Sequence, residues 1–228
     1  MEMPAMIPWM SIIDLGHTAV MIPAAGAVLV WLIVGRAWKL ALWWSLILAV
    51  GLSVVAWSKM AFLGWGLEIR PIGFQALSGH AWRATAILPV LFFVVLDRAP
   101  FAWRIRGALF GGALGTALGV LLVIFTFHTV SEVIASSLLG CAAAFVMIRL
   151  ATTSPPPRIT PWAAPVTMLA FVAIAGLKPS SLNHRLVDVA LYVSGRDEPY
   201  RWSRQIDSSA SQAGDRKTLK TCEARIVR

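Results

Sequence analysis

The feature that most limits what this chain can become is a succession of long apolar runs, at residues 19–35, 40–57, 80–96, 107–127, 131–148 and 162–177. A bilayer core takes about 20 apolar residues per helix, within a range of roughly 17–25. In hydrocarbon each backbone N–H and C=O has to be satisfied within the protein, and a helix does this segment by segment. The composition agrees: the chain is 58% hydrophobic and 14% charged, against roughly a quarter charged in soluble domains. Eleven Trp and seventeen Gly suit a chain with aromatics at the interfaces and glycines between helices. The reading is an all-α polytopic membrane helix bundle of about six transmembrane helices.

The net charge of +9 does not indicate a nucleic-acid partner. Half of the twenty Lys and Arg fall from Lys178 onward, and most of the others flank apolar runs. No basic stripe with interleaved aromatics is present. Cys141, in an apolar run, and Cys222, in a polar tail, form neither a disulfide framework nor a metal cluster, and no metal or cofactor is expected. Residues 1–18 carry Glu2 and Asp14 without a basic stretch, so they read as an interfacial segment rather than a cleaved signal. The membrane domain spans 19–178. Residues 179–206 form a surface segment in which 183–194 has amphipathic helical character, and the polar stretch 207–228 is expected to be disordered.

Orientation follows from basic residues in short loops. Arg36, Lys39, Arg98, Arg104, Arg106, Arg149 and Arg158 fall in alternate connections, whereas 58–80 and 128–131 together hold only Lys59 and Arg70. The 58–80 loop and His128 therefore belong outside the cytoplasm. A sixth span sends the basic tail outside too, against the trend. Within the fourth run, Gly111, Gly115 and Gly119 repeat every four residues and offer one face for close helix approach. Cys141 reads as a packing residue, His17 and His184 as surface histidines, and Pro155–Pro157 as a stiff connection.

Ionisable groups near apolar helix ends are costly, which makes their positions informative. Lys59 ends the second run, Arg70 lies in the loop after it, His80 opens the third, His128 ends the fourth and Glu132 opens the fifth. All five belong to the outer side, at the depth expected of the Trp57, Trp65 and Trp82 rings. Lys59 alone also fits a snorkelling helix terminator. Together, two cations, two imidazoles and a carboxylate suit an anionic substrate, with phosphate the natural choice.

The stretch Phe74-Gln75-Ala76-Leu77-Ser78-Gly79-His80-Ala81, followed by His128-Thr129-Val130-Ser131-Glu132, resembles the type 2 phosphatidic acid phosphatase (PAP2) superfamily over roughly residues 55–140. The resemblance implies a PAP2-like membrane fold and a site that works without metal. It makes Ser78 and the Gly79 N–H holders of phosphate oxygens and His80 the general acid. His128 becomes the nucleophile that forms a phosphohistidine, Glu132 its orienting carboxylate, and Lys59 and Arg70 a clamp. The implied partner is a lipid phosphate in the bilayer, such as a polyprenyl diphosphate, phosphatidylglycerophosphate or phosphatidic acid. The implied setting is a bacterial inner membrane with the site facing the periplasm.

Four positions depart from that pattern. Leu77 stands for a proline and Glu132 for an aspartate. Lys59 lies eleven rather than seven residues before Arg70, and Leu122 stands for an arginine. Arg83, three residues after His80, shares its helix face and is the candidate substitute guanidinium. Two alternatives use the same residues: phosphoryl transfer to another lipid, or binding or transport of a lipid phosphate without catalysis.

Overall fold

The structure, a computed structural model, describes residues 18–154, 182–196 and 198–200. They form six α-helices: α1 (Thr18–Val34), α2 (Trp38–Trp65), α3 (Gly79–Val95), α4 (Phe101–Ile124), α5 (Val130–Thr153) and α6 (Leu182–Ser194), with a 3-10 turn at Arg70–Ile72. The sixth apolar run at 162–177, the proline run at 155–157 and the polar tail at 207–228 lie outside the described residues, as do His17 and Cys222.

The α2, α4 and α5 helices, of 28, 24 and 24 residues, are long and apolar enough to cross a membrane. At about 1.5 Å per residue they measure about 36–42 Å, more than the roughly 30 Å of a hydrocarbon core. Their outward faces carry large apolar side chains, among them Leu42, Leu46 and Val50 on α2, Leu109 and Phe110 on α4, and Leu138 and Phe145 on α5.

The second apolar run does not stop at Ser58-Lys59 as the sequence suggested. One lysine is a good helix former and does not end a helix, and α2 continues to Trp65. There Gly66, at φ 66°, adopts the left-handed conformation that closes it. Lys59 is thus an interior residue of α2, six positions and about 9 Å short of its end.

The centre of the bundle is α3, buried on most of its circumference. Small residues on its neighbours allow this. On α4, a Cβ added at Gly111 would lie 2.6 Å from the Leu88 carbonyl oxygen, and one at Gly115 would lie 2.9 Å from the backbone of Ala84. Of the sequence-derived glycine face, Gly111 and Gly115 make the α3–α4 contact, whereas Gly119 meets Val133 of α5. On α5, Gly140 makes room for Thr85 and the Trp82 carbonyl; on α2, Gly51 makes room for the Trp82 ring. That ring is fully buried, so Trp82 is a core residue and not the interfacial one expected. Trp57 and Trp65 are exposed, at 62% and 46%.

Successive helices α2 to α5 run in alternate directions. The C-termini of α2 and α4 and the N-termini of α3 and α5 therefore share one end, which is the site end. The opposite end carries Arg36, Lys39, Arg98, Arg104, Arg106 and Arg149. There Arg104 pairs with Asp97 at 3.4 Å and lies 4.1 Å from the centre of the Phe93 ring.

The amphipathic helix expected at 183–194 is α6, and it packs on the last turns of α2. The Ala190 carbonyl and the Ser194 side chain crowd Gly64. Beyond α6, the Tyr200 N–H donates to the Leu63 carbonyl at 3.0 Å, and the Tyr200 ring covers Gly66.

Candidate functional site

The site is assembled at the start of α5. Thr129 and Glu132 form a capping box, a Thr-x-x-Glu pattern in which each side chain meets the other residue's backbone N–H. Capping fixes the Glu132 rotamer one helical turn from His128. There Glu132 Oε2 lies 2.8 Å from His128 Nδ1 and also accepts from the Thr129 N–H at 3.2 Å. An ionised carboxylate only accepts hydrogen bonds, so opposite an ionised Glu132 it is the Nδ1 proton that is shared, and Nε2 is the ring nitrogen that the acid leaves unengaged. The His128 side chain is 13% exposed and that of Glu132 1%, an arrangement that supports an oriented nucleophile or base.

The other Glu132 oxygen faces the loop before α3. Oε1 accepts from the N–H groups of Gln75 at 3.2 Å and Ala76 at 3.4 Å. The next two N–H groups of that loop are also held: Leu77 donates to Ser58 Oγ of α2 at 2.9 Å, and Ser78 to Ser136 Oγ of α5 at 2.7 Å. Ser136 in turn donates to the Glu132 carbonyl at 2.6 Å. The loop is tied on its outer side as well, where Ser131 Oγ donates to the Ile72 carbonyl at 2.9 Å.

Ser78 is the N-cap of α3, fully buried, and its hydroxyl accepts from the Ala81 N–H at 3.4 Å. The Ser78 hydroxyl and N–H are therefore both engaged within the protein. Gly79 and His80 follow as the first two residues of α3, where backbone N–H groups and the helix dipole favour an anion. Arg83 reaches back over Gly79: its Nη1 is 3.1 Å from where a Gly79 Cβ would stand. Its Nε is buried and has no hydrogen-bond partner among the described residues. Lys59 of α2 interacts electrostatically with both Arg83 and Glu132. Among the described residues neither Lys59 nor Arg83 forms a salt bridge. Two adjacent cations lie at helix depth while the nearby carboxylate is already occupied by four donors.

Arg70 is placed differently. Its side chain is 87% exposed and its Nε donates to Glu68 Oε1 at 2.7 Å. Glu68 also accepts from Gln75 Nε2 at 3.4 Å, so Arg70 belongs to the rim of the site. Leu122 is buried with Ala81 and Val133 in a small apolar cluster. That contact lies between α3, α4 and α5, whereas Gly79 and Arg83 approach Val55 and Lys59 of α2. Ser58, Gln75, Thr129 and Ser136 were not among the residues singled out from the sequence. The Thr-x-x-Glu pattern was a legible signal for one of them; the rest become visible only when the helices meet. No group of three His, Cys, Asp or Glu able to hold a metal ion occurs among the described residues.

No family model matches the chain, and no solved structure matches it. It is 28% identical over 197 residues to the "Uncharacterized 22.5 kDa protein in cps region" of Klebsiella pneumoniae, across 84% of this chain and 94% of that protein.

Proposed function

We propose that the protein is a PAP2-like membrane phosphatase that hydrolyses an anionic lipid phosphate without a metal ion. The carrying observation is the pairing of His128 Nδ1 with a buried carboxylate that also interacts with Lys59, beside a buried Arg83 Nε that has no hydrogen-bond partner among the described residues. Buried unpaired cations are strongly unfavourable, and a phosphate dianion between them relieves that cost. In this reading His128 Nε2 attacks phosphorus and forms the N–P bond as the P–O bond to the leaving group breaks. His80 donates a proton to the departing oxygen. Water then attacks the phosphohistidine, releasing inorganic phosphate and restoring the imidazole. The basic end of the bundle faces the cytoplasm of a bacterial inner membrane, and the site faces the periplasm.

The test is phosphate release by the purified full chain in lipid–detergent micelles, without added metal, from a panel of lipid mono- and diphosphates. Wild type is expected to release phosphate, and His128→Ala to release none. Equal release by both, or none by either, overturns the reading. One observation favours a second function: Leu122 lies in an apolar cluster, which leaves the PAP2 pattern one guanidinium short on that side. A lipid-phosphate binding or transport protein would bind the same lipids without releasing phosphate. A phosphotransferase would act only when an acceptor lipid is present.

A further inference from the structure

The loop at residues 75–78 has four successive backbone N–H groups, and side chains of two other helices hold all of them. Glu132 takes Gln75 and Ala76, Ser58 takes Leu77, and Ser136 takes Ser78. A loop ordinarily satisfies such groups with its own backbone or with water. Here α2 and α5 satisfy them, and the loop leads directly into the turn that carries Gly79, His80 and Arg83. The same carboxylate that fixes His128 through Oε2 fixes the loop through Oε1.

We propose that Glu132, assisted by Ser58 and Ser136, is a positioning latch that sets the anion-binding start of α3 in register with the His128 imidazole. This deepens the phosphatase reading and rests on it for its catalytic consequence. It also gives the glutamate a physical reason. Oε2 serves a neighbour one helical turn away, whereas Oε1 has to reach across an interface to residues 56 and 57 positions distant in sequence. An aspartate is shorter by about 1.5 Å, one C–C bond. His128 can swing to follow a shortened acid on its own turn; the loop cannot, because Ser58 and Ser136 hold it.

Two substitutions separate the two oxygens. Glu132→Asp is expected to free the amides of Gln75 and Ala76 while keeping the imidazole contact. Glu132→Gln keeps an acceptor for the loop but presents an amide to His128 Nδ1, which disfavours the productive tautomer. By hydrogen-exchange mass spectrometry on the full chain in micelles, Glu132→Asp should exchange the amides of Gln75 and Ala76 about 10- to 100-fold faster than wild type, the equivalent of one lost charge-assisted hydrogen bond at each. Ser58→Ala should accelerate exchange at Leu77, and Glu132→Gln should leave 75–78 near the wild-type rate. In turnover, Glu132→Asp should raise KM with kcat largely kept. Glu132→Gln should lower kcat by about 10²-fold or more with KM kept.

Exchange needs no substrate, so the two ideas fail separately. A wild type without phosphatase activity overturns the functional reading and leaves the latch to be judged by exchange. Unchanged exchange of 75–78 in both Glu132→Asp and Ser58→Ala overturns the latch whatever the activity. If the two Glu132 variants move kcat and KM together, the carboxylate is only structural and the proposal fails.

Discussion

His128 and Glu132 were legible in the sequence because i,i+4 spacing at a helix start is a local rule that needs no knowledge of the fold. Ser78 was reached only through the resemblance, as a holder of phosphate oxygens; the structure makes it the N-cap of α3, and its hydroxyl is spent on the helix. Lys59 and Arg83 are a different case. Each has a bland reading alone, as a snorkelling lysine or a helix-end arginine, and only the packing of α2 on α3 brings their charges together. Their expected behaviour follows from that pairing. Arg83→Ala should reduce phosphatase kcat/KM by about 10²–10³-fold, the scale of losing one preorganised donor to a developing charge. Arg83→Lys should not restore it, because an ammonium lacks the guanidinium's planar fork. Steady-state phosphate release from the best lipid substrate measures both. Wild-type rates in Arg83→Ala would remove this residue from the site. Arg70, exposed and held by Glu68, should matter less: Arg70→Ala is expected to change kcat/KM by no more than about tenfold, on the scale of a surface ion pair.

At the scale of helices, long apolar runs located five of the described elements but stopped α2 and α5 short and began α4 late. α2 runs to Trp65 because nothing at Ser58-Lys59 stops a helix, whereas Gly66 does. The surroundings of Trp82 were illegible because the residue that accommodates it, Gly51, sits 31 positions away on another helix. Glycine spacing on α4 was informative for the opposite reason: a repeat of four is a face whatever packs on it. The helix contact yields a stability prediction. Gly115→Ala places a Cβ 2.9 Å from the Ala84 backbone, while Gly112→Ala meets only Pro89 Cγ at 3.9 Å. Overpacking of a tight contact costs about 1–3 kcal/mol. Thermal unfolding in detergent, followed by tryptophan fluorescence, should show a lower midpoint for Gly115→Ala and an unchanged one for Gly112→Ala.

The whole molecule has two unlike ends. One holds Arg36, Lys39, Arg98, Arg104, Arg106 and Arg149, in the connections and the helix turns beside them; the other holds the imidazoles, the buried carboxylate, the end of α6 and Tyr200. Under the positive-inside rule this fixes an expected orientation. In a background with Cys141→Ser and Cys222→Ser, a thiol introduced by Arg70→Cys should react with a membrane-impermeant reagent added to intact bacterial spheroplasts. One introduced by Arg98→Cys should react only after lysis. The reverse pattern would place the site in the cytoplasm.

The fourfold-bonded carboxylate of Glu132 also bears on how the bundle comes together. During insertion, α5 arrives after α2 and α3, carrying an acid that finds only its local donors, His128 and Thr129, within its own turn. Its remaining acceptor is satisfied only when the 75–76 amides are in position, and the next two residues of that loop are held by Ser58 of α2 and by Ser136 of α5 itself. A chain whose helices associate in a wrong register therefore buries a half-solvated anion in an apolar medium, at a penalty of several kcal/mol. The contacts that orient His128 thus proofread assembly: a bundle that closes with all four donors on Glu132 has already brought α5 and the loop before α3 into register.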